Sequence, residues 1–189
     1  MTTPTVVVHH DATVLAAAVA ARLITGVADV QSARQHAHVV LTGGDIGIAV
    51  LRAVAGSPAR AAVDWARLDV WWGDERFLPR GDPERNETQA RAALLDAVPV
   101  DPARVHPIPG PDGTDGNDPE AAAERYVAQL AGAAMPEDHA PVPQFDILLL
   151  GIGADGHTAS LFPEQPATYD ERPVVAVRGA PKPPPVRIT

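Results

Sequence analysis

The sequence has 189 residues, of which 46% are hydrophobic and none is cysteine. This length is about that of one domain and allows a sizeable core, while the absence of cysteine excludes disulfides, thiolate nucleophiles and thiolate zinc sites. The 24 acidic and 15 basic residues give a formal net charge of −9, which disfavours a general nucleic-acid surface or an anionic-membrane surface. We therefore expect a cytoplasmic protein that binds neither nucleic acid nor membranes. An anionic ligand would need a locally positive site.

The amino-terminal stretch lacks the basic region of a secretory signal, and His9, His10, Asp11 and Arg22 interrupt its apolar residues. No segment reaches the roughly 20 apolar residues that a membrane helix needs. We expect neither a signal peptide nor a membrane span.

Short β-like apolar runs alternate with alanine-rich segments, which is typical of an α/β fold with a mainly parallel sheet. The patterns predict strands at residues 6–8, 38–41, 68–72, 145–150 and 174–177. They predict helices at residues 12–27, 45–55, 84–98 and 119–131, with caps at Ser57 before Pro58 and at Asp118. Residues 99–117 and 135–144, which contain several prolines, are predicted surface connections.

The run FDILLL, residues 145–150, is the clearest candidate for a central strand. A continuous apolar run is typical of a parallel strand that helices cover on both faces. The ending KPPPVRIT cannot form a helix, because proline removes donors and fixes φ.

Polar and glycine-rich turns follow three of the predicted strands, at residues 42–45, 73–76 and 151–158. In open α/β sheets ligands bind outside the carboxyl ends of the strands. These three turns are therefore the candidate site.

The third turn, GIGADGH, matches G-x-G-x-x-G, but its context disfavours a dinucleotide site. That fingerprint opens the first βαβ unit and is followed by an acidic residue about 20 positions on, where this chain has VVAVR. Only six residues separate the last glycine from Pro163, too few for an ordinary crossover helix.

The alternative is that these glycines present His157, on the first turn of a short helix, as a general base. A histidine that merely caps a turn remains possible. Arg76 in the GDER turn could hold a phosphate, a carboxylate or an oxyanion, although the D-E-R triplet taken by itself favours an ordinary salt bridge with Asp74 or Glu75. Gly43 and Gly44 either cradle a phosphate or make a tight turn.

Taken together, four blocks resemble the 6-phosphogluconolactonase family: LTGG, WWGDERFLPRGDPERNETQARAALLD, FDILLLGIGADGHTASLFP and KPPPVRIT. The resemblance covers nearly the whole chain. It implies a Rossmann-like three-layer α/β sandwich and hydrolysis of 6-phosphoglucono-δ-lactone to 6-phosphogluconate, the second step of the oxidative pentose phosphate pathway. It also implies a carboxylic ester hydrolase that needs neither metal nor organic cofactor. The expected partner is a small sugar-phosphate lactone, and a monomer is expected although the sequence leaves the oligomeric state open.

The resemblance also implies the roles of individual residues. The catalytic histidine falls on His157 and the active-site arginine on Arg76, with Asp74 orienting one or the other. The substrate-binding and phosphate-binding positions fall on Gly43, Gly44, Gly153, Asp155, Gly156, Lys182 and Arg187.

Two departures from the family pattern lead to further expectations. Where many relatives carry a Ser-Thr-Pro type sequence after the paired glycines, this chain has Asp45, which we expect to point away from the site as a helix cap. Relatives usually continue past R-I-T, so residues 1–189 are expected to form a single lactonase-like domain lacking a carboxyl-terminal strand and helix, with its last segment an exposed apolar edge.

Other functions stay open to different degrees. A sugar-phosphate isomerase or deaminase of the same superfamily shares the D-G-H turn but resembles D-E-Y where this chain has GDER. A truncated or degenerate relative would bind a sugar phosphate without turnover. No serine lies in G-x-S-x-G, which closes the serine esterase route. His36 and His38 share one strand face but have no carboxylate or third histidine at ligand spacing, so they and the His9-His10 pair are expected to be surface residues.

Overall fold

The computed structural model describes residues 3–135 and 141–189 and confirms the predicted α/β class. These residues form four α-helices: α1 (Ala12–Arg34), α2 (Gly44–Gly56), α3 (Asn86–Ala93) and α4 (Pro119–Ala133). Asp11 caps α1 by accepting a hydrogen bond from the Val14 amide, and Asp118 caps α4 with Pro119 as its first residue. Ser57 likewise caps the 3₁₀ segment Pro58–Ala62, as predicted.

A parallel sheet of three strands forms the centre of the fold, in the order β2 (Leu68–Trp72), β1 (Ala37–Leu41), β4 (Ile147–Leu148). The register places His38 beside Asp69 and Leu41 beside Trp72. All five residues of β2 are buried, and Trp71 and Trp72 belong to the core rather than to a surface. The carboxyl ends of the three strands lead directly into the three turns singled out in the sequence.

A second, antiparallel sheet joins distant parts of the chain, in the order β3 (Glu75–Arg76), β6 (Arg187–Ile188), β5 (Ala176–Val177). The last segment is therefore the middle strand of this sheet, with Ile188 fully buried. The expectation of an exposed apolar edge at that segment was wrong. Exposed apolar side chains do lie along and after β4, at Leu148, Leu150 and Ile152.

The predicted central strand at residues 145–150 is also wrong. Only Ile147–Leu148 pairs, on one side, so β4 is an edge strand of the parallel sheet. A run of leucines alone cannot distinguish an edge strand with one open face from a central strand. Residues 6–8 were predicted to form a strand, but they form none, and Val6 and Val8 are almost fully exposed. Part of the predicted connection 135–144 lies outside the described residues.

Helix α1 is longer than predicted, and it is more apolar than expected from the sequence, where no segment was expected to be able to span a membrane. Its mean hydropathy reaches 1.7, so by length and composition alone it could cross a membrane. In the fold it packs along α2 and reaches β1. Its buried residues, Ala16, Ala20, Leu23, Ile24 and Val27, belong to the main core.

Candidate active site

A cleft of about 720 Å³ opens at the carboxyl ends of β1, β2 and β4. All three predicted turns contribute to it, together with the carboxyl-terminal segment. Its polar lining consists of Thr42, Asp45, Asp74, Arg76, Asn86, His157, Lys182 and Arg187. Three full cations in one cleft give the local positive charge that a protein of net charge −9 would need to bind an anion.

His157 is paired with a carboxylate at the mouth of this cleft. Its Nδ1 lies 2.5 Å from Asp155 Oδ1, and Lys182 Nζ lies 3.2 Å from Asp155 Oδ2. The hydrogen bond with His157 comes first, and Lys182 adds to it, in holding the pKa of the Asp155 carboxyl below its ordinary value. A carboxylate on Nδ1 selects the tautomer in which Nε2 carries the lone pair. Within the described residues, Nε2 makes no hydrogen bond.

The glycine turn holds this histidine through its backbone rather than through a helix. The Gly153 amide donates to the His157 carbonyl (2.8 Å), and Gly156 has φ +85°. Gly153 packs tightly against this pair: a methyl group there would overlap the His157 ring and lie 2.6 Å from Asp155 Oδ1, so the ring or the turn would have to shift. The predicted short helix at His157 was wrong: bridges from Thr158 to Ile152 and Leu161 close the turn instead. The ring stacks on Phe162 with centroids 4.8 Å apart.

The GDER turn distributes its charged residues in three directions. The Glu75 carboxylate is buried and accepts hydrogen bonds from the backbone amides of Arg76, Asn86 and Glu87, so it caps the start of α3 from a neighbouring strand. Burial raises the pKa of Glu75 and outweighs the opposing effects of Arg85 and the three amides. Arg76 contacts the Glu84 carbonyl and forms no ion pair with Asp74 or Glu75 among the described residues.

Asp74 lines the cleft, but its side-chain hydrogen bonds go to Ser160 and Asn86 and not to His157. Its Oδ2 accepts a 2.6 Å hydrogen bond from Ser160 Oγ, and its Oδ1 accepts from Asn86 Nδ2 at 3.2 Å. Ser160, Asn86 and Asp74 are all buried. The Asp74 carboxylate therefore ties the glycine turn to the GDER turn and to α3.

The carboxyl-terminal segment brings two further cations into the cleft. The register of the second sheet sets Arg187 opposite Arg76, and the Arg187 guanidinium donates to the carbonyls of residues 182, 183 and 184. Burial, and then the charge of Arg76, lower the pKa of Arg187. Lys182 is thereby held beside Asp155.

Gly43 and Gly44 open α2 on the other side of the cleft. Gly44 has φ +79°, and a methyl group on Gly43 would overlap the Asn86 amide. Gly43 is the helix cap and makes no side-chain cap bond. The expectation for Asp45 was wrong, because it is an exposed first-turn residue that lines the cleft rather than a cap turned away from it.

Sequence reasoning missed Glu75 and Ser160 as parts of this site. Both are buried polar residues inside recognisable motifs. Glu75 comes three residues after a buried strand, and Ser160 comes three residues after the histidine. Both positions are signals, but neither identifies a hydrogen-bond partner without the fold.

The fold and the cleft define an α/β protein with a carboxylate-paired histidine among cations. The chain belongs to the glucosamine-6-phosphate isomerase/6-phosphogluconolactonase family, whose model matches residues 10–189. The family resemblance seen in the sequence is thereby confirmed.

Individual relatives agree with that assignment. The chain is 61% identical over 188 residues to the 6-phosphogluconolactonase of Streptomyces coelicolor, covering 99% of this chain and 72% of that protein. It is 45% identical over 183 residues to that of Mycobacterium tuberculosis, covering 96% and 72%. The solved 6-phosphogluconolactonase from Trypanosoma brucei superposes with a TM-score of 0.81 at 26% identity, covering 99% of this chain and 76% of that one.

Proposed function

We propose that this chain hydrolyses 6-phospho-D-glucono-1,5-lactone to 6-phospho-D-gluconate, the second step of the oxidative pentose phosphate pathway. The observation that carries the proposal is the pairing of His157 with Asp155 inside a cleft that also holds Arg76, Lys182 and Arg187. Its Streptomyces relative at 61% identity is named 6-phosphogluconolactonase. We further propose that residues 1–189 act as one lactonase-like domain in the cytoplasm.

His157 acts as the general base in this proposal. Its Nε2 takes a proton from water while the water oxygen attacks the lactone carbonyl carbon. The tetrahedral intermediate then breaks its bond to the ring oxygen, and His157 returns the proton to that oxygen. Asp155 holds the tautomer and stabilises the imidazolium that forms between the two steps.

The cations divide between the substrate phosphate and the developing oxyanion. Arg76 lines the cleft, so its guanidinium can donate to a substrate oxygen. The backbone at Gly43 and Gly44, where α2 begins, offers amides to an anion. Lys182 lies beside Asp155 and is placed to stabilise the negative charge that develops on the lactone oxygen.

Asp74 takes a positioning role rather than the direct contact that the sequence left open. Its hydrogen bonds to Ser160 and Asn86 fix the glycine turn against α3. His157 lies three residues from Ser160, so the position of the base depends on this link.

The test is the rate of lactone loss above its spontaneous hydrolysis, for this chain, for His157→Ala and for His10→Ala. His10 is an exposed histidine outside the cleft and serves as the matched control. We expect His157→Ala to lose about 10²–10⁴-fold in rate and His10→Ala to match the parent chain. Background rates in a folded parent chain would overturn the proposal in favour of a binding-only relative. Release of ammonia from glucosamine 6-phosphate would instead support the isomerase alternative.

A further inference from the structure

A group of histidines and one carboxylate lies at the opposite end of the parallel sheet from the cleft. His36 and His38 are two residues apart at the start of β1, and the strand register sets His38 beside Asp69 of β2. Side chains two apart on a strand project from the same face. The expectation that no carboxylate stands at ligand spacing was wrong, because Asp69 is brought in by the neighbouring strand and not by the local sequence.

The distances in this group suit a shared ion. One ligand atom of His36, His38 and Asp69 lies within 4.8 Å of those of the other two. A tetrahedral ion with bonds of about 2.0–2.1 Å would need ligand atoms about 3.3 Å apart. Movements of up to about 1.5 Å in the two partly exposed histidine side chains would suffice, and the His36–Asp69 ion pair is already closer than 3.3 Å.

A third histidine supports the carboxylate from outside. His106 Nε2 lies 2.6 Å from Asp69 Oδ1, and its ring stacks on Trp71 with centroids 3.8 Å apart. Histidine–carboxylate contacts of this kind orient metal ligands in known sites. Trp71 Nε1 also lies 3.2 Å from His38 Nδ1, so its indole contacts two members of the group.

A cation already occupies the place that an ion would take. Arg104 Nη1 lies 2.8 Å from Asp69 Oδ2 and 3.2 Å from His36 Nδ1. The Arg104 side chain is 36% exposed while Asp69 is only 9% exposed, so the guanidinium can leave toward solvent and the carboxylate cannot. The group is therefore built to stabilise positive charge, and its present partner is displaceable.

We propose that His36, His38 and Asp69 bind a divalent transition-metal ion of the zinc class, in competition with the Arg104 guanidinium. Two imidazoles and a carboxylate are a ligand set that Zn²⁺ takes, with water completing the shell. The five residue steps from His38 to Gly43 span about 16 Å of extended chain, so the ion would clamp β1 to β2 and would not reach the cleft.

The test is calorimetric titration of the EDTA-treated full chain with Zn²⁺, together with Co²⁺ absorption and Trp fluorescence. We expect one ion per chain, tetrahedral Co²⁺ bands, and a fluorescence change as Trp71 loses its contact with His38. His36→Gln should weaken binding at least about 10-fold, His10→Gln should not, and Arg104→Gln should tighten it. No binding to either the parent chain or Arg104→Gln would overturn the proposal, as would full affinity in His36→Gln.

Discussion

The two ends of the parallel sheet both pair histidine with carboxylate, but they build the pair differently. At the amino ends, His36, His38 and Asp69 are placed by strand register, and Asp69 is buried. At the carboxyl ends, Asp155 and His157 sit two residues apart on a glycine turn, with side chains 40% and 19% exposed. The strands hold the first group in a fixed geometry, but they leave little open space around it. The glycine turn instead leaves a cleft of about 720 Å³ beside His157.

This difference predicts which pair matters for catalysis. Asp155→Asn should lower kcat by about 10²–10⁴-fold, because an amide no longer selects the tautomer or stabilises the imidazolium. His36→Gln, which breaks the corresponding pair at the other end, should leave kcat unchanged. Steady-state kinetics on both variants checks the comparison. An Asp155→Asn enzyme with the parent kcat would show that the carboxylate does not act on His157.

A substitution in the glycine turn gives a second test of this difference between the two ends of the sheet. Gly153→Ala places a methyl group on the His157 ring and against Asp155. A base displaced by about 1 Å costs on the order of 10²-fold in rate. Gly132→Ala is the matched control, since a methyl group at that exposed position of α4 meets nothing within 4 Å. Thermal melts of both variants separate misplacement from unfolding, and equal activity of the two would contradict the tight contact.

How far the sequence reaches can be judged from the same two ends. The sequence predicts the glycine turn and the GDER turn as parts of the site because the residues of each turn lie in one contiguous motif. The histidine cluster was dismissed because its carboxylate lies 31 positions from His38 and joins it only through register. Strand β2 was predicted to the residue, since its apolar run is bounded by polar turns.

Other failures have equally local reasons. FDILLL has the composition of a central strand, but the pairing of an edge strand depends on neighbours that composition does not specify. The turn after it looked like the start of a helix, yet Thr158 bridges close it instead. Asp74 could not be assigned a partner, because Ser160 is 86 residues away in sequence.

The smallest expected effect is a shift in the pKa of Asp155. Its pKa is depressed, so the carboxylate and its contribution to holding His157 are complete above the ordinary value of 3.8 and are lost as pH falls through the lower folded pKa. Lys182→Met removes one of the two partners responsible, and should therefore raise the Asp155 pKa toward 3.8 without reaching it, because the His157 hydrogen bond remains. Carboxyl ¹³C NMR titration of the parent chain and the variant measures both midpoints. A midpoint unmoved by Lys182→Met would mean that His157 alone sets the charge of Asp155, and that Lys182 is free to serve the substrate.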